Sequence, residues 1–275
     1  MGSLLVVSTP IGNLEDTTIR AIRLLREVRL IAAEDTRTTR ILLRKYGIDT
    51  RTVSYNEHNM RRRTPQLLAA LEAGDVALVS EAGTPGVSDP GHELINAAIV
   101  AGFPVVPIPG PSALIAALVA SGLPMRQFTF LGFLSRRPAE RRRSLAHLAG
   151  EPQTLVVFES PHRLRALLSD MLSAWGDRRM AVCRELTKAF EEVFRGSTSE
   201  ALEHFSDPRG EFTIVIEGAP DELRRLSDDD VRRHLQEARD RGLSARDAVK
   251  AVTAATGRSR REVYALWLKF SEDQR

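Results

Sequence analysis

Along residues 1–110, short apolar runs alternate with amphipathic stretches, the pattern of a parallel sheet assembled from strand and helix units. Leu4 to Ser8, Leu30 to Ala33, Val76 to Ser80 and Val105 to Ile108 predict strands. Between them Ile19, Ile22, Leu25 and Val28 recur at helical spacing, as do Ile41, Leu42 and Tyr46, and then Leu67, Leu68 and Leu71. Gly47 and Gly74 stand where those helices should end. A small-residue helix from about Ser112 to Ser121 leads into a second unit, with strands predicted at Phe128 to Leu131, Leu155 to Phe158, Met180 to Arg184 and Phe212 to Ile216. Its helices are expected at Arg163 to Ser173 and Ser199 to Phe205. Gly218, Ala219 and Pro220 read as a linker. From Asp228 to Phe270 the pattern holds no strand and three amphipathic helices, separated by Gly242 and Gly257 and capped by Ser244 and Ser259. The expectation is an α/β chain with domains at 1–111 and 112–220 and a helical extension at 221–275.

Two loops stand out for their position. Ser80 to Gly91, SEAGTPGVSDPG, follows the apolar run Val76-Ala77-Leu78-Val79, and Pro107 to Ala113, PIPGPSA, follows Val105 and Val106. In open α/β sheets, ligands lie outside the carboxyl ends of strands, where glycine allows close backbone approach and proline fixes a turn. Both loops are also what ordinary strand-to-helix turns look like. Taken together they predict one shared small-molecule pocket.

Composition narrows the class. A chain of 275 residues, 43% hydrophobic and 27% charged, is globular in type. Its richest apolar segment, Pro104 to Leu123, is interrupted by Pro107, Pro109, Gly110 and Pro111, so no membrane span is expected. Leu4 to Val7 reads as a first strand instead of a leader, which makes cytoplasm the expected compartment. The one cysteine, Cys183, excludes an internal disulfide and lies in a strand-like run, and the six histidines have no metal-ligand spacing. The net charge is only +3, but arginines cluster at Arg61 to Arg63, Arg136 and Arg137, Arg141 to Arg143, and along Arg20, Arg23, Arg26 and Arg29. Such clusters suit phosphates, and they equally suit a solvated face balanced by the 36 acidic residues.

No G-x-G-x-x-G, G-x-x-x-x-G-K-[ST] or G-x-S-x-G signature is present. What remains is a set of polar loops. In order, the segments TPIGNLEDTTIRA, AAEDTRTTRILL, SYNEHN, VSEAGTPGVSDPG, PIPGPSALIAAL, FLGFL, FESPHR, ELTKAFEEVFRG and GEF resemble the bacterial RsmI family of ribosomal RNA methyltransferases, which is similar in fold to the tetrapyrrole methylases. The resemblance covers residues 4 to 218, and the tail is similar to that family's helical extension. It implies two α/β domains with a cofactor cleft between them, S-adenosylmethionine as cofactor, and methylation of a cytidine ribose 2′-oxygen in the decoding region of 16S ribosomal RNA. It also implies a homodimer acting on that RNA or on the assembled small subunit.

By the same resemblance the cofactor is expected against Pro10, Ser80, Glu81, Ala82, Gly83, Thr84, Ser112, Ala113, Phe158, Glu159 and Leu186. The family more often has Asp where this chain has Glu81, so contacts to the backbone of Ala82, Gly83 and Thr84 are the firmer part of that expectation. Candidate groups for accepting the ribose proton are Glu34, Asp35, His58, Glu81, Glu185 and Lys188, with preference for the loops carrying Glu34, Asp35 and Lys188. The RNA is expected on Arg37, Arg40, His58, Arg136, Arg137 and Arg163. Two rivals share parts of this reading. A methylase of a porphyrinoid ring would use the same pocket but leave EDTRTTR and NEHN without a role, and a nucleic-acid-binding module acting through the tail would leave both pocket loops unexplained.

Overall fold

In the computed structural model, which describes residues 1–220, 228–256 and 260–272, the inner N-terminal strands are buried on both faces. Strands β1 (Leu4–Val7), β2 (Leu30–Ala33), β3 (Thr52–Ser54), β4 (Val76–Val79) and β5 (Val105–Ile108) form a parallel sheet in the order β3-β2-β4-β1-β5. Leu5, Val7, Ile31, Ala33, Ala77 and Val79 pack on one side against Ala21 and Leu25 of α1 (Ile19–Glu27) and Leu43 of α2 (Thr36–Lys45). Leu4, Ala32, Val76 and Leu78 pack on the other, against α3 (Met60–Glu72) and α4 (His92–Val100). Helices on both faces explain why these strands read as continuous apolar runs. The neighbours β1 and β4 send their chains to opposite faces, β1 into α1 and β4 into α4, so their outgoing loops diverge and leave a crevice.

Helix α5 (Ala113–Ser121) crosses to a second sheet of β6 (Phe128–Phe133), β7 (Thr154–Glu159), β8 (Arg179–Arg184), β9 (Glu192–Ser197) and β10 (Phe212–Ile216), ordered β6-β7-β10-β8-β9. β6 and β7 are parallel, whereas β10 pairs antiparallel with β7 and β8, and β8 antiparallel with β9. One face carries α6 (Pro138–His147), α7 (Pro161–Trp175) and α8 (Thr198–His204) through Leu145, Leu164, Leu168 and Ala201. The other is covered by Ala117 and Leu118 of α5. Cys183 is buried there, and burial pushes its thiol up to about 11, which suits a packing role.

The tail forms α9 (Asp228–Asp240), α10 (Ala245–Thr256) and α11 (Arg260–Glu272), which share an apolar centre of Val231, Leu235, Val249, Val252, Val263 and Leu266. Gly242 takes the left-handed conformation that ends α9, and the Ser244 hydroxyl accepts the Asp247 N–H at 3.2 Å as a cap of α10. The expected break at Gly257 and cap at Ser259 lie outside the described residues. No described helix is long and apolar enough to cross a membrane.

Several elements depart from the sequence pattern. β3 and β9 were not anticipated: both lie on sheet edges, and neither is a sustained apolar run. The stripe expected on α1 is rotated, so that Ala21, Leu25 and Val28 are buried while Ile19 stands 87% exposed. On α2 the buried pair is Leu42 and Leu43, and Ile41 faces outward.

Candidate active site

The carboxyl ends of the first sheet's strands face one end of the second sheet's strands across a cavity of about 420 Å³, within the ~300–1,000 Å³ range of small-molecule pockets. From the first sheet it takes Ile11 after β1, Ala82 to Thr84 and Val87 to Asp89 after β4, and Ser112 to Leu114 after β5. The second contributes Phe133, Phe158 to Pro161, Cys183, Leu186 and Glu211 to Thr213. Both loops marked out by their glycines and prolines therefore reach the same cavity. Gly83 adopts φ 78°, and its N–H and carbonyl pair with Thr9 at 3.0 and 2.8 Å, so the turn presents bare backbone to the cavity without losing hydrogen bonds.

Two helix N-termini also open on the cavity. Ser112 caps α5, its hydroxyl accepting the Ile115 N–H at 3.5 Å, and Ser160 precedes α7, whose first residue is Pro161. Free N–H groups and the helix dipole at such ends favour a carboxylate. Phe158, packed edge-on to Phe130 and Phe133 at centroid distances of 4.9 and 5.7 Å, joins Leu114, Leu186 and Phe212 in an apolar wall suited to a flat ring. This donor set fits a folded nucleoside bearing an amino-acid tail. Among the described residues no group of three metal-ligating side chains occurs.

The expected site residues divide in space. Ala82, Gly83, Thr84, Ser112, Ala113, Phe158, Glu159 and Leu186 line the cavity. Pro10 is buried beside it, and Ser80 lies beneath the wall, its hydroxyl directed at the carbonyls of Ala82 and Gly83. Glu81 is exposed on the rim, where its N–H donates to Glu34 Oε2 at 3.1 Å. Burial raises the Glu34 carboxyl, opposed by that hydrogen bond and reinforced by nearby Glu81, Glu57 and Asp35.

Asp35 caps α2 by accepting the Arg37 N–H at 2.7 Å, and its carboxylate also holds the Arg37 guanidinium at 2.8 Å. That hydrogen bonding keeps Asp35 down at about 2. Lys188 Nζ is bound by Glu185 at 2.9 Å and Glu211 at 2.7 Å; burial alone would lower the ammonium, but these partners outweigh it and raise it. Asp35 and Lys188, the preferred candidates from sequence, are thus each committed to an ion pair, and Glu34 already accepts the Glu81 N–H.

Of the residues expected to meet RNA, Arg37, Arg40, His58, Arg136 and Arg137 are exposed, Arg37 with 87% of its side chain in solvent. Arg163 is turned inward, donating to the carbonyls of Leu134 at 2.6 Å and Ser135 at 3.3 Å and facing Glu159 at 3.2 Å. It latches the chain after β6 to α7. Within the basic segment at 136–143, Arg141 is buried against Asp170 at 2.6 Å, so only its neighbours remain for a polyanion.

Asp89 escaped the sequence reading although its loop was singled out, because nothing local separates it from the more prominent Glu81. Burial pushes its carboxyl up to about 7, aided by the charge of Glu34, opposed by a contact with the Ser80 hydroxyl, and aided further by Glu81 and Glu211. Below the usual carboxylate range, folded and unfolded chains both hold this acid neutral. As pH rises from there to about 7 the unfolded chain ionises first, so stability falls across that window and stays lower above it. Asp89→Asn should leave stability unchanged near pH ~4 and raise it above pH ~7 by about 1–2 kcal/mol, once screening of this partly exposed group is allowed for. Denaturant unfolding across that range checks this, and equal stabilities at the alkaline end would contradict it.

Matches to known proteins extend over nearly the whole chain. The family model for Tetrapyrrole (Corrin/Porphyrin) Methylases matches residues 3–202, and that for the RsmI C-terminal HTH domain matches 225–270. A protein from Synechocystis sp. named ribosomal RNA small subunit methyltransferase I is 46% identical over 99% of this chain and 100% of its own length. One of the same name from Thermotoga maritima is 49% identical over 79% of this chain and 99% of its own. Among solved structures, uroporphyrin-III C-methyl transferase from Thermus thermophilus, complexed with S-adenyl homocysteine, aligns with a TM-score of 0.57 at 22% identity, covering 78% of this chain and 97% of its own. A diphthine synthase aligns at 0.61 and 15%, covering 78% and 90%. At those identities the likeness is one of fold.

Proposed function

Because the chain belongs to the family of ribosomal RNA small subunit methyltransferase I, we propose that it methylates the ribose 2′-oxygen of a cytidine in the decoding region of 16S ribosomal RNA, using S-adenosylmethionine. The observation that carries this reading is the cavity between the sheets, with bare backbone at Gly83, two helix N-termini and an apolar wall around Phe158. S-adenosylmethionine supplies a sulfonium-activated methyl group when bound. The N-termini of α5 and α7 would hold its amino-acid carboxylate, Phe158, Leu186 and Phe212 its adenine, and the Ala82 to Thr84 turn its ribose and tail. The carboxylates of Asp89 and Glu211 on the same wall favour a cation in the cavity. Displacement at a sulfonium methyl requires chiefly that the acceptor oxygen be held in line at ~3–3.5 Å, which is a task of positioning.

Arg37 and Arg40 stand exposed on α2, which begins directly after the β2 loop that carries Glu34 to the cavity rim. They would grip phosphates and present the ribose. Arg37→Ala should weaken RNA methylation and lower the salt slope of RNA binding by about one ion, while cofactor affinity stays within ~2-fold of wild type. Parallel loss of cofactor affinity would sink that division of labour. The proposal as a whole is tested by offering labelled S-adenosylmethionine with unmodified small ribosomal subunits or, separately, with a porphyrinoid acceptor. Label is expected in the RNA alone; label in the macrocycle alone would move the chain to the tetrapyrrole branch of its fold.

A further inference from the structure

Three phenylalanines line the cavity, and their exposure differs. Phe212 is buried and Phe158 half-buried, whereas Phe133 stands 54% exposed. An irregularity in β6 sets its direction. Phe130 pairs with Val156 and Gly132 with Val157, so Leu131 is an extra residue and the strand bulges. Side chains opposite one another on neighbouring strands share a face; Val156 belongs to the face under α5, and Val157 to the face under α7. In an unbroken ladder Phe133 would stand opposite Glu159, on the α7 side. The bulge places it opposite Phe158 instead and turns its ring to the cavity, 5.7 Å from the Phe158 ring. Gly132 allows the step at φ 61°, and Leu134 returns to the core beneath α7. Arg163 fixes the chain beyond, through the carbonyls of Leu134 and Ser135. An apolar ring is thus held out at the cavity mouth by the backbone itself.

Resting on the RNA-methylation reading above, we propose that Phe133 is the platform on which an unpaired nucleobase of the RNA stacks, with Arg136 on the adjoining phosphate. Aromatic faces beside cations are the common means of holding single-stranded RNA. Glu81 and Glu211 are exposed at the same rim and would repel a phosphate, so the part of a nucleotide that suits the mouth is its neutral base. The phosphate is left to the loop after β6, where Arg136 is exposed and has no ion pair among the described residues, while Arg137 is held by Glu140 at 2.8 Å. Base and 2′-oxygen are carried on adjacent ribose carbons. A base held at the mouth therefore aims its own hydroxyl into the cavity, which is the positioning that the displacement requires. A base within a duplex has both faces covered, so the platform selects a nucleotide that has left the stack. Every base has a π-face, and Phe133 accordingly sets position and not sequence.

The test compares wild type with Phe133→Ala, Phe133→Leu, Phe133→Tyr and Arg136→Ala. Affinity for unmodified small ribosomal subunits is measured at several salt concentrations with S-adenosylhomocysteine present, cofactor affinity by calorimetry, and oligomeric state by sedimentation. Phe133→Ala and Phe133→Leu should each lose ~5–150-fold in subunit affinity, by the same factor at every salt concentration because no charge is removed. Phe133→Tyr should stay within ~3-fold of wild type, and Arg136→Ala should lower the salt slope by about one ion. Cofactor affinity and sedimentation should be those of wild type in all the Phe133 variants. A loss below ~5-fold in Phe133→Ala, or wild-type affinity in Phe133→Leu, would overturn the stacking assignment. So would a parallel loss of cofactor affinity, which gives the ring to adenine, or a changed sedimentation, which gives it to a second copy of the chain. A wild-type protein that transfers no methyl to RNA would instead overturn the reading on which the proposal rests.

Discussion

Valine at position 12 should weaken S-adenosylmethionine binding at least ~10-fold, about 1.4 kcal/mol, with both sheets intact. Gly12 lies in the loop after β1, where that loop closely approaches the ELTK turn after β8. A Cβ there would stand 2.4 Å from Lys188 Cγ, 2.8 Å from Thr187 Oγ1 and 3.0 Å from the Leu186 carbonyl oxygen. The lysine chain can swing aside, but the carbonyl belongs to backbone that cannot yield alone. Glu185 and Thr187 both hold positive φ, and the Asn13 N–H donates to Thr187 Oγ1 at 3.0 Å, so the turn must move as a unit. Leu186 would then leave the cavity wall. Calorimetric affinity together with circular dichroism checks the prediction, and native affinity in a folded Gly12→Val protein would show that this seam does not support the site.

Arg141→Ala should destabilise the protein by about 3 kcal/mol, at the lower end of the ~3–5 kcal/mol seen when a buried ion pair loses one partner. Its side chain is 6% exposed, with Nε 2.8 Å and a terminal nitrogen 2.6 Å from Asp170 Oδ2. Arg142 retains its own contact with Asp170 at 3.1 Å, which softens the loss. Joint replacement of the exposed Arg136, Arg137 and Arg143 should change stability by no more than ~0.5 kcal/mol per site, because the ion pair of Arg137 with Glu140 is on the surface. If that segment grips RNA, the same triple change flattens the salt dependence of binding; an unchanged slope would assign it to solvated surface. Urea unfolding of both variants separates the buried arginine from its neighbours.

Legibility in the sequence followed burial. β1, β2, β4 and β5 were readable because helices on both faces make their residues uniformly apolar. β3 and β9 were not, since the three residues Thr52 to Ser54 are too short, and Glu192 to Ser197 too mixed in polarity, to carry an apolar run. The cavity-lining stretch Ala82 to Thr84 was readable through glycine and proline, which report backbone demands directly. Roles that depend on pairing were not: Asp35 looks like a free acid until Arg37 is seen on it, Arg163 like a free cation until Leu134 and Glu159 are seen around it, and Arg141 like its exposed neighbours until Asp170 is placed. Asp89 stands out only by lacking such a partner, a property of the folded surroundings and not of the motif.

On the proposed function, the methyl acceptor is a ribose oxygen of the small-subunit RNA. The most direct measurement transfers labelled methyl from S-adenosylmethionine to unmodified small subunits, digests the RNA with alkali and separates the products. A 2′-O-methyl group removes the hydroxyl that attacks the adjacent phosphate, so label is expected in an alkali-resistant dinucleotide with cytidine at its 5′ side. Label recovered only in mononucleotides would place the methyl on a base and contradict it.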